Sequence, residues 1–404
     1  MIPAKKQTDM GMPGEGPWNY TPLTEPTLKS QLGRMSSAAS FANTDLLTFQ
    51  PCPNPDDRNQ DRHIVVDWHL PNGIWQFRGI FDGHAGHDAV DYTVTTLPQL
   101  IHTALQARLS DSANPPSTEE ISAILTDSVV SIDEQLTRDI LKLFPSPDAI
   151  LALSATEIFT TINDHLKGGQ NAAVVTRCMR GTTVLFTLLD PSKSNLWVAS
   201  LGDCQAVLGK KALNREWEIE TLSSHHNGSD AQEAERVRQE HPGEWECILN
   251  NRVLGALAVT RAIGDHLFKL PRVYTEKVFL NAQSGFRISS NITDFIGRNL
   301  TPPYVSNVPD IRHVELSPHD ASRSYLVMCS DGLLDLYEDQ GLDPVSTRRA
   351  WMRVIEEADG GDNLALNILK DALGGEDVER VSRMMTVEMF YRWMDDTTIL
   401  VQRL

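Results

Sequence analysis

The chain has 404 residues, 41% hydrophobic and 22% charged, which suits a folded enzyme with a sizeable core. Its 36 Lys and Arg against 54 Asp and Glu leave a net charge of −18, which repels phosphate backbones and anionic lipid and so argues against nucleic-acid and membrane-surface functions. The five cysteines (Cys52, Cys178, Cys204, Cys247 and Cys329) lie far apart with no CxxC pair, as reduced thiols do and disulfide frameworks or zinc sites do not; no stretch approaches the roughly 18 apolar residues of a membrane span.

Residues 1–44 are rich in Pro, Gly, Ser and Thr without a sustained period, and read as a loose, disordered N-terminal segment ahead of one catalytic domain over 45–404. The segment has no apolar signal core, and Asp9, Glu15 and Glu25 among Lys5, Lys6, Lys29 and Arg34 make a poor mitochondrial presequence. Order begins near TDLLTF (44–49), followed by a loop over 51–62 and strands HIVVDW (63–68) and GIWQFRGIF (73–81). Helical spacing runs over 85–108. A second helical stretch starts at Ser117, where Ser117 and Glu120 match a capping box, and runs to about 167 with a break at FPSP (144–147).

The middle reads as an antiparallel meander of TVLFTLL (183–189), NLWVASLG (195–202), QAVLG (205–209) and WEIETL (217–222), joined by short connections. A capped helix is expected over 229–241 and an irregular insertion over about 266–310. SYLVMCS (324–330) is a buried strand, two helices fill roughly 344–374, and TTILVQ (397–402) is the last strand. Two antiparallel sheets flanked by helices follow from these pieces.

The chemistry lies in the placement of acidic residues. Asp82, Asp203 and Asp331 each follow an apolar strand, whereas Asp395 and Asp396 precede the last one. In antiparallel sheets the end of one strand lies beside the start of its neighbour, so these carboxylates are expected to converge on a single edge. Glycine adjoins three of them (Gly83, Gly202, Gly332), which suits close approach of backbone to a ligand. Any one aspartate could simply end a strand as a turn residue. A set of them in a dry cleft needs cations, and oxygen donors without cysteine or paired histidine favour Mg²⁺ or Mn²⁺. Two such ions, roughly 3.5–4 Å apart, hold a bridging water as hydroxide for in-line attack on phosphorus.

Eight ordered segments carry a resemblance to a known family: NQDRH (59–63), GIFDGHAGH (79–87), RGTTVLF (180–186), VASLGDCQAVL (198–208), LSSHHN (222–227), RVLGALAVTRAIGD (252–265), MCSDGLLD (328–335) and DDTTILV (395–401). They resemble the type 2C metal-dependent Ser/Thr protein phosphatases. The resemblance implies an α+β fold, an αββα four-layer sandwich, and hydrolysis of phosphoserine and phosphothreonine by a metal-bound hydroxide. Carried over by position, it implies that Asp82 bridges two Mg or Mn ions, that the Gly83 carbonyl, Asp331 and Asp395 complete their shell, and that Asp203 and Asp335 serve a third, weaker ion. His84 matches the general acid for the leaving alkoxide, a role suited to imidazole near neutral pH. Thr182 and Thr183 read as the start of a buried strand, His225 and His226 as structural, and Gly264 and Asp265 as turn residues.

Two positions depart from the commoner pattern. A metal-binding Glu is replaced by Gln60, beside Asp61, and the arginine that grips phosphate is replaced by Asp56, which leaves Arg58 and Arg62 as candidate phosphate-binding cations. These departures motivate an alternative, a pseudophosphatase that keeps the fold and binds partners; a two-metal nuclease is disfavoured by the negative charge. NQDR after a proline-containing loop, AERVRQEHPGE (234–244), the insertion and TPPYVSNVPDI (301–311) are similar to the pyruvate dehydrogenase phosphatase branch. That branch implies a phosphoprotein substrate in a mitochondrial 2-oxoacid dehydrogenase complex and a matrix location, with the cytoplasm as the alternative.

Overall fold

A computed structural model describes residues 4–55, 58–111, 114–211, 216–286, 292–317, 324–358 and 360–404. In chain order, the strands that position the site are β1 (Ala39–Phe41), β2 (Thr44–Phe49), β3 (Arg62–Leu70), β4 (Gly73–Phe81), β5 (Gly83–His84), β6 (Gly181–Thr182), β7 (Val184–Leu189), β8 (Asn195–Leu201), β9 (Gln205–Lys211), β10 (Trp217–Thr221), β11 (Ile263–Gly264), β12 (Asp310–Glu315), β13 (Ser324–Cys329) and β14 (Thr397–Arg403). The longer helices are α1 (Glu25–Met35), α2 (Asp88–Leu109), α3 (Thr118–Leu143), α4 (Gln170–Met179), α5 (Ala231–Glu240), α6 (Asp331–Glu338), α7 (Pro344–Glu357), α8 (Leu364–Leu373) and α9 (Val378–Thr386). They divide into two units, one of Met1–Asp61, Gln205–Leu222 and Leu316–Leu404, the other of Arg62–Cys204 and Ser223–Glu315.

The second unit holds a five-stranded antiparallel sheet in the order β12-β8-β7-β4-β3. The hairpin β3–β4 runs in register from Arg62↔Phe81 to Leu70↔Gly73, and every side chain of β7 is buried. Trp68 and Phe77 stack across the hairpin at 4.7 Å between ring centres. α2 packs against β3, α3 and α4. The buried stripe of α3 includes Ile121, Leu125, Val129, Ile132, Leu136 and Ile140, spaced three or four apart as one helix face requires. Its capping box is present, with both Ser117–Glu120 bonds made.

The first unit holds a six-stranded antiparallel sheet in the order β10-β9-β13-β14-β2-β1. Helix α8 packs on β2 and β14, with α6 and α7 beside it, and Leu47, Phe49, Val327, Ile399, Val401, Leu336 and Trp351 share its core. Each unit thus sets one antiparallel sheet against its own helices, and the fold class is the expected α+β sandwich. Among the described residues, no helix is long and apolar enough to cross a membrane.

Three expectations change. Residues 4–44 are not a loose lead-in: Lys6–Thr8 pairs with Trp18–Tyr20, β1 pairs with β2, and α1 buries Leu28 and Leu32 in the core of its unit. Leu28 and Leu32, four apart, with Met35 packed against the same core at the helix end, supply one apolar face on an otherwise mostly polar helix. The meander over 183–222 is broken, because β8 pairs with β7 and β12 whereas β9 pairs with β10 and β13. The chain changes sheets at 202–204. The described part of the stretch 266–310 is also more ordered than expected, since Leu267, Phe268, Tyr274, Phe279, Phe295 and Tyr304 are buried in the core of the second unit.

Candidate metal centre

In the second unit β4 and β8 both pair antiparallel with β7, so they run parallel and end at one edge of the sheet. Asp82 follows β4 and Asp203 follows β8, and the two offer carboxylate oxygens within 4.8 Å of each other. The backbone fixes both. Thr183 N–H donates to the Asp82 carbonyl at 2.9 Å, and Asp82 N–H donates to Thr183 Oγ1 at 3.3 Å. Gly202, at φ +112°, passes so close to Thr183 that a Cβ would lie 2.5 Å from its side chain. Buried His226 accepts from Gly202 N–H at Nδ1 (3.2 Å) and reaches Asp310 Oδ2 through Nε2 (3.1 Å), a bracing role, whereas His225 is exposed. The hydrogen bond from His226, reinforced by Ser224 and Arg261, holds the Asp310 carboxyl well below the usual range.

Asp203 is buried. Asn227 Nδ2 donates to its Oδ2 at 2.8 Å, while its Oδ1 accepts no hydrogen bond among the described residues. Leaving a buried oxygen unsatisfied costs about 1–3 kcal/mol, and more when it is ionised. The nearby Asp82 carboxylate has the wrong sign to help. A hard divalent cation meets both needs, and the oxygen donors fit Mg²⁺ or Mn²⁺.

Gly83 and His84 form β5, the edge of a three-stranded ribbon with β6 and β11. His84 is partly exposed, and its Nε2 lies 2.7 Å from Oδ2 of Asp265. Gly264 and Asp265 have φ of +84° and +53°, as turn residues do, yet the Asp265 side chain has this further contact that the sequence did not reveal. Thr182 closes β6, and both Thr182 and Thr183 are buried as expected.

The first unit gathers a second set. β13 and β14 are antiparallel neighbours, so Asp331, two residues after β13, and Asp395–Asp396, just before β14, occupy one edge of their own sheet. Of the four strand-end aspartates, two therefore end strands of each sheet. Asp331 opens α6, and Asp335 lies one turn further along. A cleft of about 200 Å³ is lined by Gly332, Asp335, Glu338, Asp339 and Asp395 among others.

In the same unit, Ser330 Oγ donates to buried Asp61 Oδ2 at 2.7 Å, and burial, with the charge of Asp396, pushes the Asp61 carboxyl up to about 7. Burial also raises Asp396, against the Gln60 N–H, which donates to its Oδ2 at 2.7 Å, and against Arg392 at 3.1 Å. Gln60 is thus tied through its backbone to the carboxylate next to Asp395. Asp61 and Asp396 are the acidic members whose weight the sequence understated, because neither stands in a D-G or G-D setting.

Of the candidate phosphate-binding cations, Arg62 in the second unit is held by Asp91 (Nε–Oδ1 2.7 Å) and His87 (Nη2–Nδ1 3.2 Å) at the start of α2. Arg58 in the first unit is exposed, and its carbonyl accepts from Arg392 Nη2 at 2.9 Å. Asp56, which stands at the position of the missing arginine, lies outside the described residues.

Comparison with known proteins agrees with this geometry. The protein phosphatase 2C family profile matches residues 47–357. A protein phosphatase 2C homolog of Schizosaccharomyces pombe is 27% identical over 379 residues, covering 86% of this chain and 77% of that protein. The mitochondrial pyruvate dehydrogenase (acetyl-transferring) phosphatase 1 of Saccharomyces cerevisiae is 28% identical over 277 residues, 68% of this chain and 44% of that protein, so the chain spans less than half of that relative's length. A solved C. elegans sex determining protein shares the fold, with a TM-score of 0.52 at 17% identity over 90% of this chain and 65% of that one. The chain belongs to the protein phosphatase 2C family, the metal-dependent phosphatases of serine and threonine residues in proteins.

Proposed function

We propose that the chain hydrolyses phosphoserine and phosphothreonine at a pair of Mg²⁺ or Mn²⁺ ions held by Asp82, the Gly83 carbonyl, Asp331 and Asp395, with Asp203 and Asp335 serving a third, weaker ion. The observation that carries this reading is the buried Oδ1 of Asp203, which accepts no hydrogen bond among the described residues and belongs to a carboxylate within 4.8 Å of that of Asp82. When bound, the ions supply an acidified water and neutralise charge on the phosphoryl oxygens. The chain's own part is to aim the carboxylates and to deliver a proton from His84 to the departing oxygen. The likeness to a mitochondrial pyruvate dehydrogenase phosphatase supports a phosphoserine of a 2-oxoacid dehydrogenase complex as the substrate and the mitochondrial matrix as the location.

The test is a Mn²⁺ titration of metal-stripped protein on two substrates, a generic phosphopeptide and a phosphorylated dehydrogenase subunit. Activity that vanishes with EDTA, returns with Mn²⁺ and favours the subunit is the expected outcome. Full turnover in excess chelator refutes the metal mechanism. Equal rates on both substrates remove the substrate assignment, and no turnover with any metal favours the pseudophosphatase alternative.

A further inference from the structure

The contact between His84 and Asp265 joins residues 181 positions apart, and several features of the second unit serve it. The turn that presents Asp265 is pinned on all sides. Asp265 N–H donates to the Arg180 carbonyl at 2.9 Å, and His266 N–H donates to the Cys178 carbonyl at 2.8 Å. Gly264 N–H donates to Asp133 Oδ1 at 2.8 Å, and Lys269 Nζ reaches the same oxygen at 2.8 Å. Asp133 comes from the middle of α3, so a long, well-packed helix fixes the turn. Asp265 is 3% exposed and sits at φ +53°, a backbone state that costs a non-glycine residue about 1 kcal/mol or more. A strained, buried carboxylate aimed at one imidazole nitrogen is more than a turn needs.

The ribbon is built around the pair as well. Gly181 lies between His84 and Gly264 in the cross-strand row. A Cβ on Gly181 would fall 2.0 Å from His84 Nε2 and 2.2 Å from Asp265 Oδ2. Only glycine at that position leaves room for the two side chains to meet.

We infer that Asp265 is a positioning residue for the phosphatase reaction: it engages Nε2 of His84, so that the ring is aimed and its Nδ1–H faces the serine or threonine oxygen leaving phosphorus. This rests on the reading of His84 as general acid. In the step itself, the oxygen of the attacking water forms a bond to phosphorus and the bond from phosphorus to the side-chain oxygen breaks. The electron pair of that bond stays on the side-chain oxygen, which takes the proton from Nδ1. Solvent, which received the proton of the attacking water, reprotonates the imidazole.

A merely structural Asp265 and a positioning Asp265 differ in how their loss depends on the leaving group. A serine alkoxide needs a proton as it departs, and general acid catalysis contributes about 10²–10⁴-fold there. A p-nitrophenolate needs almost none. The experiment measures kcat of the Mn²⁺-loaded full chain and of Asp265→Asn on a phosphoserine peptide and on p-nitrophenyl phosphate, with His84→Asn and the double variant alongside. The expected result is a fall of about 30-fold or more on the peptide with a fall below about 3-fold on p-nitrophenyl phosphate. The double variant should be no slower on the peptide than His84→Asn alone, because the two residues act as one.

Equal losses on both substrates, or no loss on either, overturn the inference, as does a double variant whose losses multiply. Retained p-nitrophenyl phosphate turnover shows that Asp265→Asn has folded. If it does not fold, Gly181→Ala, which parts the same pair, is measured in the same way and judged by the same outcomes. A wild type that hydrolyses neither substrate with Mn²⁺ sinks the phosphatase reading and this inference together. A wild type active on both, with His84→Asn selectively slow on the peptide and Asp265→Asn like wild type, sinks this inference alone.

Discussion

His266, adjacent to Asp265, should make the fold labile to mild acid. It is fully buried, and its Nε2 lies 2.8 Å from Thr137 Oγ1. Thr137 Oγ1 donates its own hydrogen to the Asp133 carbonyl at 3.1 Å, so the imidazole must donate at Nε2. That leaves Nδ1 as the unprotonated nitrogen, and it is buried with no hydrogen-bond partner among the described residues. A proton added there would have no acceptor. Burial accordingly pushes the group from 6.5 down to about 4.

The sign follows from linkage. Between those two values the unfolded chain binds a proton that the folded chain does not, so stability is complete above the unfolded value and is lost as pH falls toward the folded one. The difference of 6.5 − 4 is about 2.5 units, or about 3 kcal/mol in total, of which about 2 kcal/mol is lost between about pH 7 and about pH 5. Urea unfolding of metal-stripped protein at those two pH values, for wild type and His266→Gln, measures it. Glutamine can donate to Thr137 without titrating. The wild type should lose about 2 kcal/mol more than the variant on going to the lower pH. If both lose the same stability, His266 is not the acid-sensitive group and the argument from its orphaned Nδ1 fails.

Replacing Asp82 with Asn should lower kcat at least about 10²-fold at saturating Mn²⁺, and Asp331→Ala and Asp395→Ala should behave alike, while none of the three lowers the metal-free melting temperature, because each relieves a crowded acidic edge. A near-normal rate for Asp82→Asn would remove its role as the bridging ligand. Gln60→Glu should tighten apparent Mn²⁺ affinity, since an ionised oxygen holds a dication better than an amide does, and superimposable metal titrations would place the side chain outside the shell. Leu28→Ala in α1 should destabilise the first unit by about 2–5 kcal/mol, read as a shift in urea midpoint; a loss under about 0.5 kcal/mol would mean that the helix does not dock.

The parts of this protein legible in its sequence are those whose cause is local. An apolar run that stops at Asp82-Gly83 or Asp331-Gly332 announces both a strand end and an acidic residue on its rim, and Ser117 with Glu120 announces a helix start, because the partners lie within a few residues. What failed depends on partners far away. The three residues between β8 and β9 look like a hairpin turn, yet β9 pairs with β13 more than a hundred residues on, and its choice is made by the apolar faces of β13 and β14. In α1 only Leu28 and Leu32 are fully buried, too few to stand out in a segment rich in Pro, Gly, Ser and Thr.

Asp265 is the sharper case. Its sequence setting, Gly264-Asp265 with positive φ at both, is a sufficient account of a turn, so nothing local calls for a second role. What points to one is Gly181, whose lack of a side chain makes sense only once His84 and Asp265 are seen on either side of it. A glycine with an unremarkable φ, in a strand where a side chain would otherwise be favourable, implies that something occupies the space where its Cβ would be. From sequence alone that space has no address. In the fold it is filled by the carboxylate–imidazole contact, and this is why a residue legible only as punctuation becomes a candidate member of the reaction's machinery.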